Sequence, residues 1–165
     1  MTSAPGNRLS RIVQPLAGLP PSLRTPALTL LLGRTVRFVG TAGLSVERLT
    51  ASECVVSVKN RPRVQNHIGG VHAAAMALLA ETATGLVVGV NVPDRALPLI
   101  KTMKVDYLRR SEGGLRAHAR LDEDARARIV TEPRGELHVP VTLVDDAGAE
   151  PVACDLVWAW VPKKR

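Results

Sequence analysis

The chain has 165 residues, a formal net charge of +7 and only 2% aromatic residues. That length fits one domain whose core needs neither disulfides nor a structural metal. The charge asks for an anionic partner, but the aromatic platforms of single-strand binders are lacking and the only compact basic block is Lys163-Lys164-Arg165, so a phosphorylated small molecule is expected and nucleic acid is not.

Residues 1–22 carry Pro5, Pro15, Pro20 and Pro21 and are expected to form a loose arm. No acidic residue precedes Glu47, and the prolines argue against reading this basic start as an amphipathic transit helix. The first apolar run, Leu28 to Leu32, is too short for a secretory leader. Thr25-Pro26 reads as the start of a short helix stopped by Gly33. The expected division is therefore an arm and short helix over residues 1–33 and a main domain over 34–165. Strands are expected at Leu44–Leu49 and Glu53–Lys59. Cys54 and Cys154 lie in strand-like runs without metal-ligand spacing and read as small core residues of a reducing, cytoplasmic protein, with a bridge between them left open.

The run from Asn66 to Gly89 is the centre of the chain. From Ala73 to Val92 its only charge is Glu81, and its first half is rich in Ala, Leu and Met, so it predicts a helix starting near Gly70. A surface helix would keep a polar face. This one has none, and the carboxylate, Gly85, Gly89 and the lack of basic anchors exclude a membrane span. A buried helix axis remains. Beyond the break at Asn91-Val92-Pro93-Asp94 come strand candidates Thr102–Leu108 and Leu115–Leu121. The second alternates apolar and polar residues and puts His118 on a solvated face with no role. Asp122–Pro133 reads as a short helical excursion. Leu137–Val144 and Val152–Val161 read as a hairpin around Asp145-Asp146-Ala147-Gly148. Two strands, one long helix and four antiparallel strands make an α+β protein, in which a strongly curved sheet wraps the helix. There is no G-x-G-x-x-G, P-loop or G-x-S-x-G motif.

Asn66, His72 and Glu81 are the candidate chemical groups. The Ile68-Gly69-Gly70 turn delivers the backbone to the helix start and is expected to leave N–H groups of Val71 to Ala74 free for an anion or an oxyanion. Asn66 reads equally well as a turn or cap residue, and His72 as a first-turn histidine. An unpaired carboxylate on an apolar helix is costly, which favours a functional Glu81 over a structural one. His72 and Glu81 are nine residues apart, about 13 Å along a helix and half a turn around it. One helix cannot bring both to one reacting atom, so cooperation requires a second chain across a two-fold axis.

The run N-H-I-G-G-V-H-A-A-A-M-A-L-L-A-E-T-A-T-G resembles the signature of hot-dog-fold acyl-CoA thioesterases of the phenylacetyl-CoA thioesterase type, and most closely an uncharacterised branch of that superfamily. Lys104 to Gly114 and Val152–Pro162, with Trp158, are also similar, so the resemblance spans roughly residues 35–162. It implies a curved sheet around a central helix, a dimer or higher homo-oligomer, and hydrolysis of acyl-CoA without metal or cofactor. By resemblance Glu81 is the general base or nucleophile, Asn66 positions the water, and His72 with the Ala73 amide holds the thioester carbonyl. Two departures stand out: Ala73-Ala74 replaces a Gly-Gly pair, and Ser111 replaces a proline. Gly70, Lys104, Arg109 and Arg110 are candidate substrate contacts, the three cations for the phosphates of CoA. The rival reading is a non-catalytic acyl-CoA or acyl-carrier-protein binder using the same groove. A hot-dog hydratase is disfavoured, because it wants an Asp and a His a few residues apart.

Overall fold

The computed structural model describes residues 7–164. Its first element corrects the expectation of a loose arm over residues 1–22, of which 1–6 lie outside the described residues: α1 spans Arg8–Ala17 despite Pro15. The reason is Asn7, a buried residue the composition argument passed over. Its Oδ1 accepts the Ser10 N–H at 2.7 Å, capping α1, while its Nδ2 donates to Gly89 O and Val92 O, both at 2.6 Å. An isolated ten-residue helix is marginal. Burial of Val13, at about 1.5–3 kcal/mol, and bonds of about 0.5–1.5 kcal/mol each hold this one down.

Helix α2 runs Pro21–Thr35, four residues earlier than Thr25 and two past Gly33. Pro21 sits in the first turn, where its missing N–H costs nothing. Gly33 does not stop the helix. A Cβ there would lie 3.3 Å from the Gly40 Cα, so the glycine serves a close approach to α3, Arg37–Ala42. Helix α2 packs along β1 (Ser45–Leu49): Thr29 Oγ1 accepts the Val46 N–H at 3.0 Å, and Arg24 Nε donates to Glu47 O at 3.1 Å. That edge strand is thereby sealed.

Strand β2 (Glu53–Val58) leads through a 3-10 turn at Pro62–Val64 to the long helix α4, Ala73–Gly89. Then follow β3 (Ala96–Tyr107), β4 (Leu115–Arg120), α5 (Glu123–Thr131), β5 (Gly135–His138), β6 (Val141–Asp145) and β7 (Val152–Pro162). Two antiparallel sheets result, ordered β1-β2-β4-β6 and β3-β7-β5. Helix α4 touches β2, β4 and β6 on one side and β3 and β7 on the other, so the strands wrap it.

The expected hairpin is only half right. The Val139 N–H still bonds Leu156 O at 3.0 Å, but Pro140 has no N–H to give and its carbonyl takes the Arg120 N–H at 3.1 Å. The chain changes sheets there, so β5 pairs with β7 while β6, next to the turn, pairs with β4. Strand β3 begins six residues before Thr102. It tolerates Pro98 because its only partner is β7, which leaves its other edge unpaired among the described residues. Leu97, Leu99, Ile100 and Met103 on this strand are exposed. Both cysteines are free, Cys54 buried and Cys154 half-buried. His118 does face outward, but it is paired, with Nε2 2.8 Å from Glu53 Oε2 and Arg120 Nε donating to it at 3.3 Å.

Candidate functional site

The loop between β2 and α4 is built from its own polar side chains. Asn66 Oδ1 accepts the N–H groups of Ile68 and Gly70, both at 3.1 Å, and the Asn66 N–H donates to Gly70 O at 2.8 Å. Asn66 is therefore the turn residue the local sequence allowed, with its Nδ2 left over. The buried Gly70 has both backbone groups committed, leaving neither for a ligand. Two residues with no sequence signal brace the loop: Asn60 Nδ2 donates to Gly69 O, and Gln65 Nε2 donates to Asn60 Oδ1, both at 3.0 Å.

His72 is the N-cap of α4, its Nδ1 accepting the Ala74 N–H at 3.0 Å. That bond needs a lone pair on Nδ1, which in the neutral ring puts the hydrogen on Nε2. The expectation of free N–H groups from Val71 to Ala74 is corrected in part. The His72 N–H goes to Val64 O at 2.7 Å and that of Ala74 to the histidine ring, whereas the N–H groups of the buried Val71 and of Ala73 have no acceptor among the described residues. One donor at the positive end of the helix is thus available for a negative charge. The Ala73 carbonyl is fixed by Tyr107, whose hydroxyl donates to it at 2.8 Å. Burial first and the Cys154 thiol second push the Tyr107 phenol upward. Tyr107 stood in the sequence as part of the resembling run and was not singled out.

Glu81 lies two and a half turns along α4. The helix is apolar in composition, yet one stripe of it is not covered by the sheets: Ala73 and Ala74 are exposed, and Ala77, Leu78, Glu81, Gly85 and Gly89 are half-exposed. Glu81 is the one charge on that stripe. No donor among the described residues hydrogen-bonds its carboxylate, and burial raises its pKa above the ordinary carboxylate value. In one chain, then, Asn66, Gly70, His72 and Ala73 come together and Glu81 stands apart from them along the helix.

The three cations separate. Arg110 reaches the loop, its Nη2 donating to Ile68 O at 3.2 Å. Lys104 pairs with Asp106 at 3.0 Å, both exposed, on the alternate face of β3 from Tyr107. Arg109 makes an exposed contact of 3.5 Å with Glu112. A cavity of about 1030 Å3 lies on the outer face of the four-stranded sheet, between Lys59, Arg116, His118 and Arg120, and includes none of the expected residues. The open stripe of α4 faces solvent in a single chain. No helix among the described residues is long and apolar enough to cross a membrane.

Antiparallel strands in two sheets wrapped around one long central helix define a hot-dog-fold protein. The chain belongs to the family described as "Domain of unknown function (DUF4442)", which matches residues 24–161. A Pseudomonas aeruginosa protein called "Probable Thioesterase" is similar at 25% identity, with 88% of this chain and 97% of that chain covered and a TM-score of 0.75. A Haemophilus influenzae thioesterase shares the fold at 12% identity, with 87% of this chain and 92% of that chain covered and a TM-score of 0.65. A Chlorobaculum tepidum protein of unknown function does so at 13%, with coverage of 89% and 99% and a TM-score of 0.71. No curated protein matches the chain.

Proposed function

We propose that this protein hydrolyses acyl-CoA thioesters to the free acid and CoA at a site shared between two copies of the chain. The observation that carries the reading is Glu81: a half-buried carboxylate with a raised pKa and no hydrogen-bond donor among the described residues, on the open stripe of an otherwise covered helix. Such a group is a stronger base than an ordinary carboxylate and suits taking a proton from water. The attacked carbonyl needs donors where its oxygen becomes negative, and the free Ala73 N–H at a helix start, with the Nε2–H of His72 beside it, meets that need. Water adds to the carbonyl carbon as Glu81 takes its proton. The carbon–sulfur bond then breaks, and the proton passes to the departing CoA sulfur. The names of similar hot-dog proteins from Pseudomonas aeruginosa and Haemophilus influenzae support the reaction class.

Separation of Glu81 from His72 on one helix motivates the second chain, and β3 offers the surface for it. Its outer edge is unpaired among the described residues, several of its apolar side chains are exposed, and the neighbouring helix stripe is mostly alanine and glycine, which permits close packing. Arg110, at the loop, is the cation best placed for a CoA phosphate, with Lys104 and Arg109 further out. A second reading, a non-catalytic binder of acyl-CoA or an acyl-carrier protein, is favoured by Ala73-Ala74, whose methyl groups crowd the helix start. Release of thiol from a panel of acyl-CoAs decides between them. Turnover by the wild type, reduced by about 100- to 10,000-fold in Glu81→Gln with binding retained, is the expected result. Binding without turnover in the wild type leaves the binder.

A further inference from the structure

One turn beyond Glu81 the open stripe of α4 meets a buried aromatic side chain. At Gly85 the indole of Trp158, from the inner face of β7, packs close against the helix: a Cβ on Gly85 would sit 2.6 Å from its Cη2 and 2.7 Å from its Cζ2. The ring does not drift there by chance. Its Nε1–H donates to Thr84 Oγ1 at 2.9 Å, and Thr84 Oγ1 donates onward to Ala80 O at 2.9 Å. Thr84 is fully buried and Trp158 is 6% exposed, so this small polar chain is sealed from water and fixes the indole in one orientation. Across the strand pair, Ile100 of β3 lies opposite Trp158 and remains exposed. A glycine on the helix thus makes room for the largest side chain the sequence can offer, anchored by a dedicated threonine, immediately next to the proposed catalytic carboxylate.

Resting on the thioesterase reading, we infer that Trp158 is the residue that limits acyl-chain length. The polar end of the substrate belongs at the loop of one chain, where Arg110 and the helix start lie. The acyl group runs past the Glu81 that the second copy brings there, along that copy's apolar stripe toward its Gly85 and Trp158. Glu81 and Gly85 are one turn apart, about 6 Å. With carbon–carbon bonds of about 1.5 Å in a zigzag, that is room for about five carbons before the indole blocks the path. The substrates selected are therefore short or compact acyl groups, and the lock between Trp158 and Thr84 holds the limit in place.

The test is the kcat/KM series for acetyl-, butyryl-, hexanoyl-, octanoyl- and decanoyl-CoA with wild type, Trp158→Leu and Thr84→Val. The wild type should peak at butyryl or hexanoyl. Each further methylene admitted is worth about fourfold, so Trp158→Leu should raise the decanoyl-to-butyryl ratio by at least about tenfold, mainly through KM. Thr84→Val keeps the ring but frees it and should move the ratio the same way by about two- to threefold. An unchanged ratio in folded Trp158→Leu, with wild-type turnover of butyryl-CoA intact, overturns the length limit and leaves the hydrolase standing. Should Trp158→Leu fail to fold, binding of S-alkyl-CoA thioethers to the wild type decides. Affinity that stops rising beyond butyl or hexyl supports the limit; affinity climbing through decyl overturns it. Neither thiol release nor thioether binding at any length overturns the functional reading, and this inference with it.

Discussion

Subunit complementation is the sharpest test of the shared site. His72 caps α4 and Glu81 lies nine residues on, about 13 Å away and on the opposite side of the helix. The perturbation is a pair of variants, Asn66→Ala in one chain and Glu81→Ala in the other. Asn66 Oδ1 holds the Ile68 and Gly70 N–H groups, so its loss loosens the loop by about 1–3 kcal/mol. A domain stable by about 5–15 kcal/mol survives that. Glu81→Ala removes a group that is unpaired among the described residues, so it breaks no bond the fold depends on. The Glu81→Ala homodimer should retain at most about 1% of wild-type turnover, the usual scale for losing a catalytic acid or base, and the complementation is read against an Asn66→Ala homodimer inactivated through its loosened loop. After random exchange half of the dimers are mixed. One site of a mixed dimer carries both lesions, and the other joins an intact loop to an intact Glu81. Turnover should return to about a quarter of wild type. Mass spectrometry of differently tagged chains establishes the exchange, and thiol release reports activity. Proven exchange with no regained turnover refutes the reasoning, because a site contained in one chain can never be rebuilt from these two parents.

Burial raises the Glu81 pKa in the folded state, so the folded chain holds that proton more tightly than the unfolded one. The stability it gives is present below the unfolded value of about 4.3 and is lost as pH rises through the folded value. Glu81→Gln should therefore melt above wild type at neutral pH, with the two converging near pH 4; a neutral-pH difference of the opposite sign contradicts the burial argument. The same shift places the acid limb of kcat/KM above the ordinary carboxylate range. Asn7→Ala strips a cap and two carbonyl partners and should cost about 2–4 kcal/mol, lowering Tm by roughly 4–16 °C with the kinetics of folded enzyme unchanged. A shift below about 1 °C would mean that α1 is not held through Asn7.

The sequence made the central helix legible because a run of Ala, Leu and Met with one carboxylate has few other solutions. The strands beside it were legible where one face is wet, as in Leu115–Leu121. What escaped notice depends on a single side chain reaching far along the chain. Asn7, in a stretch dominated by prolines, bonds carbonyls more than eighty residues away. Pro98 reads as a break in sequence, yet β3 accepts it because the strand has a free edge. At the site, the chemical types were visible in Asn66, His72 and Glu81, but their assignments were not. His72 spends its Nδ1 on the Ala74 N–H, and Asn66 spends its oxygen on its own turn, through local bonds that composition cannot specify. The three cations looked alike on charge, and only Arg110 reaches the loop.

The two ends of the wrapped sheet are treated differently, and that difference bears on the second chain. At β1 a whole helix is laid along the edge, with Thr29 and Arg24 consuming its outward N–H and carbonyl. At β3, twelve residues long, nothing among the described residues covers the edge, while Leu97, Leu99 and Met103 stay exposed. A long uncovered edge bearing apolar side chains is an aggregation hazard unless a partner meets it. The chain spends α2 on sealing the shorter strand, β1, and leaves the longer one open beside a helix stripe of small residues. The economical account is that a second copy meets β3, and the same contact would bring an intact loop to Glu81, which its own chain holds two and a half helical turns from its own loop.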